Sequence, residues 1–155
     1  MKQFIFIAFI SLSLVGCFKS DVFESTTPFR GEKWSYDRSP SFSFDISDTS
    51  SLYNIFLIVR HTDAYKYNNI WLKVGVLQPG DSLRTSKLDV TLGSDATGWE
   101  GTGMDDIYEY RKALTPRPIP FKKAGKYTFT VSQIMRESPI EHILNVGIRV
   151  EKVKQ

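Results

Sequence analysis

Ser41-Phe42-Ser43-Phe44-Asp45-Ile46 alternates polar and apolar side chains without a break. A period of two places Phe42, Phe44 and Ile46 on one face of an extended chain and leaves the other face to water, as in a strand lying over a core. Outward from this stretch the chain keeps the same period. Residues 53–60 (YNIFLIVR) are almost wholly apolar and rich in β-branched side chains, which suits a strand in the middle of a sandwich. Residues 70–77 (IWLKVGVL) follow and stop at the turn signal Gln78-Pro79-Gly80-Asp81. Residues 86–92 (SKLDVTL) put Leu88, Val90 and Leu92 on one side. After the turn Lys123-Ala124-Gly125-Lys126, residues 127–134 (YTFTVSQI) set Tyr127, Phe129 and Val131 against threonines, and residues 146–153 (VGIRVEKV) alternate valine and isoleucine with charge. Short strands with turn residues between them predict an all-β fold, an antiparallel β-sandwich of jelly-roll or immunoglobulin-like type.

Between Gly93 and Phe121 the pattern loosens. Gly98-Trp99-Glu100-Gly101-Thr102-Gly103 reads as irregular chain whose glycines serve tight turns or positive φ. Residues 106–113 (DIYEYRKA) fit a strand or one short helix, and Pro116, Pro118 and Pro120 impose an extended edge. A single helical turn suits Ser138-Pro139-Ile140-Glu141.

The N-terminal segment has a different character. Met1-Lys2 opens it, residues 4–15 (FIFIAFISLSLV) are apolar or hydroxyl-bearing, and Leu14-Val15-Gly16-Cys17 follows. A basic start, a short apolar core and a small residue at the cut describe a secretory signal. The run is well short of the roughly 20 residues that cross a bilayer as a helix. With cysteine directly after the cut, the segment fits a bacterial lipobox, in which Cys17 carries acyl chains such as palmitate and becomes the first residue of the mature protein. The organisation expected is a cleaved signal peptide over 1–16, a lipidated tether over 17–30 that ends in an edge strand or packs on the domain through Phe23 and Phe29, and one sandwich domain over 31–155. Membrane attachment through Cys17 is then the first partner. Phe18 rather than an aspartate follows the cysteine, which points to the outer membrane, with the domain facing the periplasm.

Composition narrows the function classes. The net charge of +3 is small and its signs are interspersed, which argues against a nucleic-acid partner. Cys17 is the sole cysteine, so no internal disulfide can form and packing alone must hold the fold. Catalytic parts are few. His61 and His142 are the two histidines, no serine sits in a Gly-x-Ser-x-Gly elbow, and a hydrolase built on His61 and Asp63 has only their proximity in its favour. Asp95, Glu100, Asp105 and Asp106 could place oxygens around calcium, although no EF-hand register is present and local turn-capping explains such carboxylates as well. No other cofactor is expected, and the chain reads as a non-enzyme. Aromatic and amide groups are more telling. Tyr65-Lys66-Tyr67-Asn68-Asn69-Ile70-Trp71 surrounds a loop-to-strand junction, and Trp99 lies in the glycine-rich loop. Exposed rings and amides are what a protein or glycan site uses. Burial in the core is expected of Trp71 more than of Trp99. Arg60, Tyr65, Tyr67, Asn68, Trp99 and Arg136 are the candidate contact residues, for another envelope protein or, alternatively, for a glycan stacked on Trp99 and Tyr65.

Several of these stretches also occur together elsewhere. Arg60-His61-Thr62, Tyr65-x-Tyr67-Asn68-Asn69-Ile70-Trp71-Leu72, Gly98-Trp99-x-Gly101-x-Gly103, Gly125-x-Tyr127-x-Phe129, Gln133-Ile134-Met135-Arg136 and Val146-Gly147-Ile148-Arg149-Val150-Glu151 follow in this order. The chain thereby resembles the GldH gliding-motility lipoproteins of Bacteroidota, from the lipobox to the last strand. The resemblance implies a cell-envelope lipoprotein associated with gliding and with other gliding or type IX secretion envelope proteins as partners. It implies no catalytic residue, metal or ligand.

Overall fold

The computed structural model describes residues 21–153. The signal segment 1–16, Cys17 and the first residues of the tether lie outside the described residues. Strands β1 (Asp21–Pro28), β2 (Lys33–Trp34), β3 (Ser41–Ile46), β4 (Leu52–Thr62), β5 (Asn69–Leu77) and β6 (Arg84–Thr91) come first. The short strands β7 (Gly93–Ser94), β8 (Gly98–Trp99) and β9 (Thr102–Met104) follow. The chain continues through β10 (Ile107–Ala113), β11 (Ile119–Pro120), β12 (Gly125–Gln133), β13 (Ile140–Glu141) and β14 (Ile143–Lys152).

One sheet runs β1-β14-β4-β10-β9, with β11 on the start of β4, and the second runs β3-β12-β5-β6. Every pairing is antiparallel. Counting only the long strands in chain order, the sheets read 1-8-3-6 and 2-7-4-5. This is the double Greek key of a jelly roll, so of the two sandwich types expected the jelly roll is the one present. An immunoglobulin sandwich would instead pair its first two strands.

The core lies between the sheets and follows from the period of two. Phe42, Phe44 and Ile46 of β3 point in and are nearly unexposed, facing Ile55, Leu57 and Val59 of β4 and Val146, Ile148 and Val150 of β14 in one cluster. Phe44 sits among the rings of Phe23, Phe121, Tyr127 and Phe129, with centroids 5.1, 5.8, 6.2 and 5.8 Å away. The uniform apolarity of β4 also has its reason. Ile58 points out of the core yet is only 1 % exposed. Its neighbours on that outer face are long: Phe56 and Arg60 along the strand and Arg111 opposite it on β10. Their stems can lie over it. Beside β1, Trp34 is fully buried, stacked on Phe29 at 4.7 Å, and donates its indole N–H to Arg38 O at 2.7 Å.

Within the segment read as tether, Asp21–Pro28 form the edge strand β1, which pairs along β14 and brings Phe23 onto Phe44. Two local expectations change. The glycine-rich stretch is more regular than expected: Gly98 and Gly101 do have positive φ, at 74° and 96°, but β8 and β9 lie on either side of Gly101. Of residues 106–113, Ile107–Ala113 form a strand and not a helix, and Ser138-Pro139-Ile140-Glu141 runs into β13, which pairs with β2 instead of making a helical turn.

Candidate functional site

Antiparallel pairing sends the β4–β5 loop, the segment joining β6 to β10 and the β12–β13 link to one end of the sandwich. The β4–β5 loop starts with a tight turn, Tyr65 N–H to Thr62 O at 3.2 Å. It then supplies Ala64, Tyr65, Lys66 and Tyr67 to one wall of a groove of about 330 Å³. Glu137, Pro139, Glu141 and His142 form the other wall. Lys66 Nζ donates to Glu137 Oε1 at 2.9 Å across the groove and lies 5.3 Å from the Tyr67 ring centroid. The contact with Lys66 holds the Glu137 carboxyl below its ordinary pKa, and Glu137 raises that of Lys66. At the far rim Lys33 pairs with Glu141 at 2.7 Å, and His142 Nδ1 stands 3.5 Å from Glu32. The groove therefore combines fixed opposite charges with aromatic and proline surface, a composition suited to a polypeptide segment.

Behind the groove lies a buried aromatic cluster. His61 at the end of β4 is fully buried, with ring centroids of Trp99, Tyr65 and Tyr108 at 4.6, 5.7 and 5.8 Å. Its Nδ1 lies 2.8 Å from Thr62 O and so carries the proton, while Nε2 has no partner. Tyr65 is 4 % exposed, its hydroxyl donates to Asn69 O at 3.1 Å, and burial raises its pKa. Trp99 is half-buried and packs against the core.

These positions correct the expected contact set. Tyr65 is floor, not platform, and the half-buried Trp99 packs with it at 6.4 Å, so the two rings do not stand as a pair of exposed platforms. The two tryptophans exchange roles, since Trp71 is 43 % exposed. Asn68 is exposed but ties loops together: its side-chain amide donates to Asp95 at 3.0 Å and its backbone carbonyl accepts from the N–H groups of Leu92 and Gly93. Arg60 lies on the outer face of the first sheet, paired with Glu109, and is not part of the groove lining. Arg136 is exposed in the link just before Glu137. Tyr67 and the buried Tyr65 are the candidates that line the groove. Lys66, Glu137, Pro139, Glu141 and His142 were not singled out, and nothing local in the sequence marks them, because Lys66 and Glu137 are 71 positions apart.

The hydrolase reading finds no geometry. His61 meets no carboxylate, and Asp63 is exposed with its backbone N–H on Asp106 O. Among the described residues no three His, Cys, Asp or Glu side chains converge as a metal site. Among those residues, too, no helix is long and apolar enough to cross a membrane.

Burial of His61 makes stability depend on pH in a stated direction. Desolvation lowers its pKa from the ordinary value near 6.5, against a smaller opposing effect of Thr62 O. Below about pH 6.5 the unfolded chain takes up a proton that the native imidazole refuses. The contribution is thus complete above that pH and is lost as pH falls toward the native value. Thermal melts from pH 7 to 5 should show a steeper loss of Tm in the wild type than in His61→Phe. Equal slopes would disprove it.

The GldH lipoprotein family model matches residues 21–150. A gliding motility lipoprotein GldH homolog of Christiangramia forsetii is 27% identical over 156 residues, covering 96% of this chain and 94% of that protein. The gliding motility lipoprotein GldH of Flavobacterium johnsoniae is 28% identical over 149 residues, covering 92% and 91%. Among solved structures, the VP2 subviral particle of infectious bursal disease virus aligns with 86% of this chain and 30% of its own at a TM-score of 0.35 and 12% identity. TmCBM61 in complex with β-1,4-galactotriose aligns with 85% and 88% at a TM-score of 0.32 and 12% identity. Scores this low carry no argument.

Proposed function

The chain belongs to the GldH lipoprotein family, and on that premise we propose that it is a lipid-anchored, non-enzymatic protein of the cell envelope that supports gliding motility by binding other envelope proteins. Acyl chains on Cys17 hold it to the outer membrane, and the jelly roll stands in the periplasm. Its partners are proteins of the gliding or type IX secretion apparatus. The groove supports the binding step: the Lys66–Glu137 pair crosses it, Tyr67 and Pro139 line it, and the ring cluster around His61 stiffens its floor. A rigid floor lowers the ordering cost of binding, and fixed charges set the register of a bound segment.

A photo-crosslinking residue placed at Tyr67 in living cells tests this. It should give an adduct with an envelope protein, while the same residue at Ser43, on the outer face of the second sheet, should give none. No adduct at 67 under several conditions, or the same adduct from both positions, would overturn the assignment.

A further inference from the structure

The end of the sandwich opposite the groove has its own chemistry. Asp21 opens β1 and is level with Glu151 and Asn54, so the start of β1, the end of β14 and the start of β4 share one end. The start of β12 joins them, since Gly125 pairs with Ile46 and the chain leads from Ile46 directly into β4. Lys123 Nζ donates to Pro79 O at 3.2 Å, which brings in the β5–β6 turn. The loops of this end keep a basic surplus, because Asp48 and Asp81 are already paired with Lys152 and Arg84. Arg117, Lys122 and Lys123 are exposed, and none pairs with a carboxylate among the described residues. Three exposed leucines accompany them: Leu52 at 45%, Leu77 at 39% and Leu83 at 57%. The groove end carries acidic loops, with Asp95, Glu100, Asp105 and Asp106; its lysines 33 and 66 are paired with Glu141 and Glu137, and its exposed Arg30, Arg38 and Arg136 are outnumbered by those loop carboxylates.

Cys17 lies four positions before Asp21. Four residues span at most roughly 14 Å however they are arranged, so an anchored Cys17 keeps the start of β1 beside the bilayer. We infer that this end lies against the lipid surface itself: Arg117, Lys122 and Lys123 meet anionic headgroups, Leu83 and Leu52 reach the interface, and the groove points away from the membrane. Lysine and arginine near an anionic leaflet are attracted to it within a Debye length, and the tether holds them there. The inference rests on the lipid-anchor reading above, and it gives the short tether a purpose. The domain is posed with its binding end outward.

The test uses the full, lipid-modified protein in vesicles of phosphatidylethanolamine and phosphatidylglycerol that carry a nickel-chelating quencher at the headgroup. Acylation occupies the sole native thiol, so a cysteine introduced by Leu83→Cys or Lys122→Cys, or by Lys66→Cys or Arg136→Cys, takes a fluorescent label alone. Labels at 83 and 122 should lose most of their emission, and those at 66 and 136 should lose little. In K122E/R117E the contrast should shrink while the protein still floats with the vesicles. Flotation with equal quenching at both ends, or a contrast that the charge reversal leaves unchanged, overturns the inference alone. Wild-type protein that does not float overturns the anchor reading, and the inference falls with it.

Discussion

Phe44→Ala is expected to cost about 3–5 kcal/mol of folding stability, a large share of the 5–15 kcal/mol typical of a whole domain. Phe44 is 6% exposed and lies within ring-contact distance of four aromatic side chains. They come from β1, the approach to β12, and β12 itself, so the ring joins an edge of the first sheet to the middle of the second. Truncation leaves a cavity that four rigid rings cannot fill by small rotations, and aromatic pair energies are lost with it. Urea unfolding should show a large fall in midpoint with little change in slope. Phe56→Ala, on the half-buried outer face of β4, should cost much less. Equal losses at 44 and 56 would mean that the core does not lie between the sheets.

That same residue illustrates how much of the fold was legible. Alternation around Phe44 marks β3, comparable runs locate β5, β6, β12 and β14 to within a few residues because each turns one face to the core, and unbroken apolarity locates β4, whose outer face is covered as well. β1 is less marked, since Ser25, Thr26 and Thr27 give it no apolar run and Phe23 packs against the core only in part. β10 was ambiguous because Tyr108, Glu109, Tyr110 and Arg111 serve a helix face as well as a strand. Its place is decided by pairing, which sets Glu109 opposite Arg60. Jelly roll against immunoglobulin is a question of which strand pairs with which, and local periodicity does not contain that information.

The site was less legible, for a related reason. Period two could have placed Trp71 correctly: Ile70, Leu72 and Val74 point in, so Trp71 must point out. Trp99 has no such flanking pattern. It is covered by tertiary contacts with His61, Tyr65 and Tyr108, which stand on three different segments. Rings gather at the β4–β5 junction together with Lys66, but the Glu137 that faces Lys66 across the groove comes from a segment 71 positions away.

The second large effect is expected at Gly147, where the change acts on the strand nearest the anchor. A Cβ at this position would stand 2.4 Å from the Ser25 carbonyl oxygen and 2.6 Å from Thr26 Cγ2. Both belong to β1, and a backbone oxygen cannot rotate away as a side chain can. Gly147→Val therefore forces β1 off β14, at a cost of order 1–3 kcal/mol for overpacking. Because β1 is an edge strand, the remainder of the sandwich can stay folded. Amide exchange should rise selectively over residues 23–28, and limited proteolysis should cut there before anywhere else. Gly75→Ala is the control, since its new methyl meets only side chains, the nearest being the Leu83 methyl at 3.2 Å. Unchanged exchange in β1 would refute the clash. Release of β1 would also lengthen the reach from Cys17 to the domain from about 14 Å to roughly 40 Å. A domain on so long a lead is no longer held at one end, so Gly147→Val should keep the protein on vesicles while abolishing the quenching contrast between positions 83 and 136. Retention of the contrast with β1 detached would show that the basic end binds lipid without help from the tether.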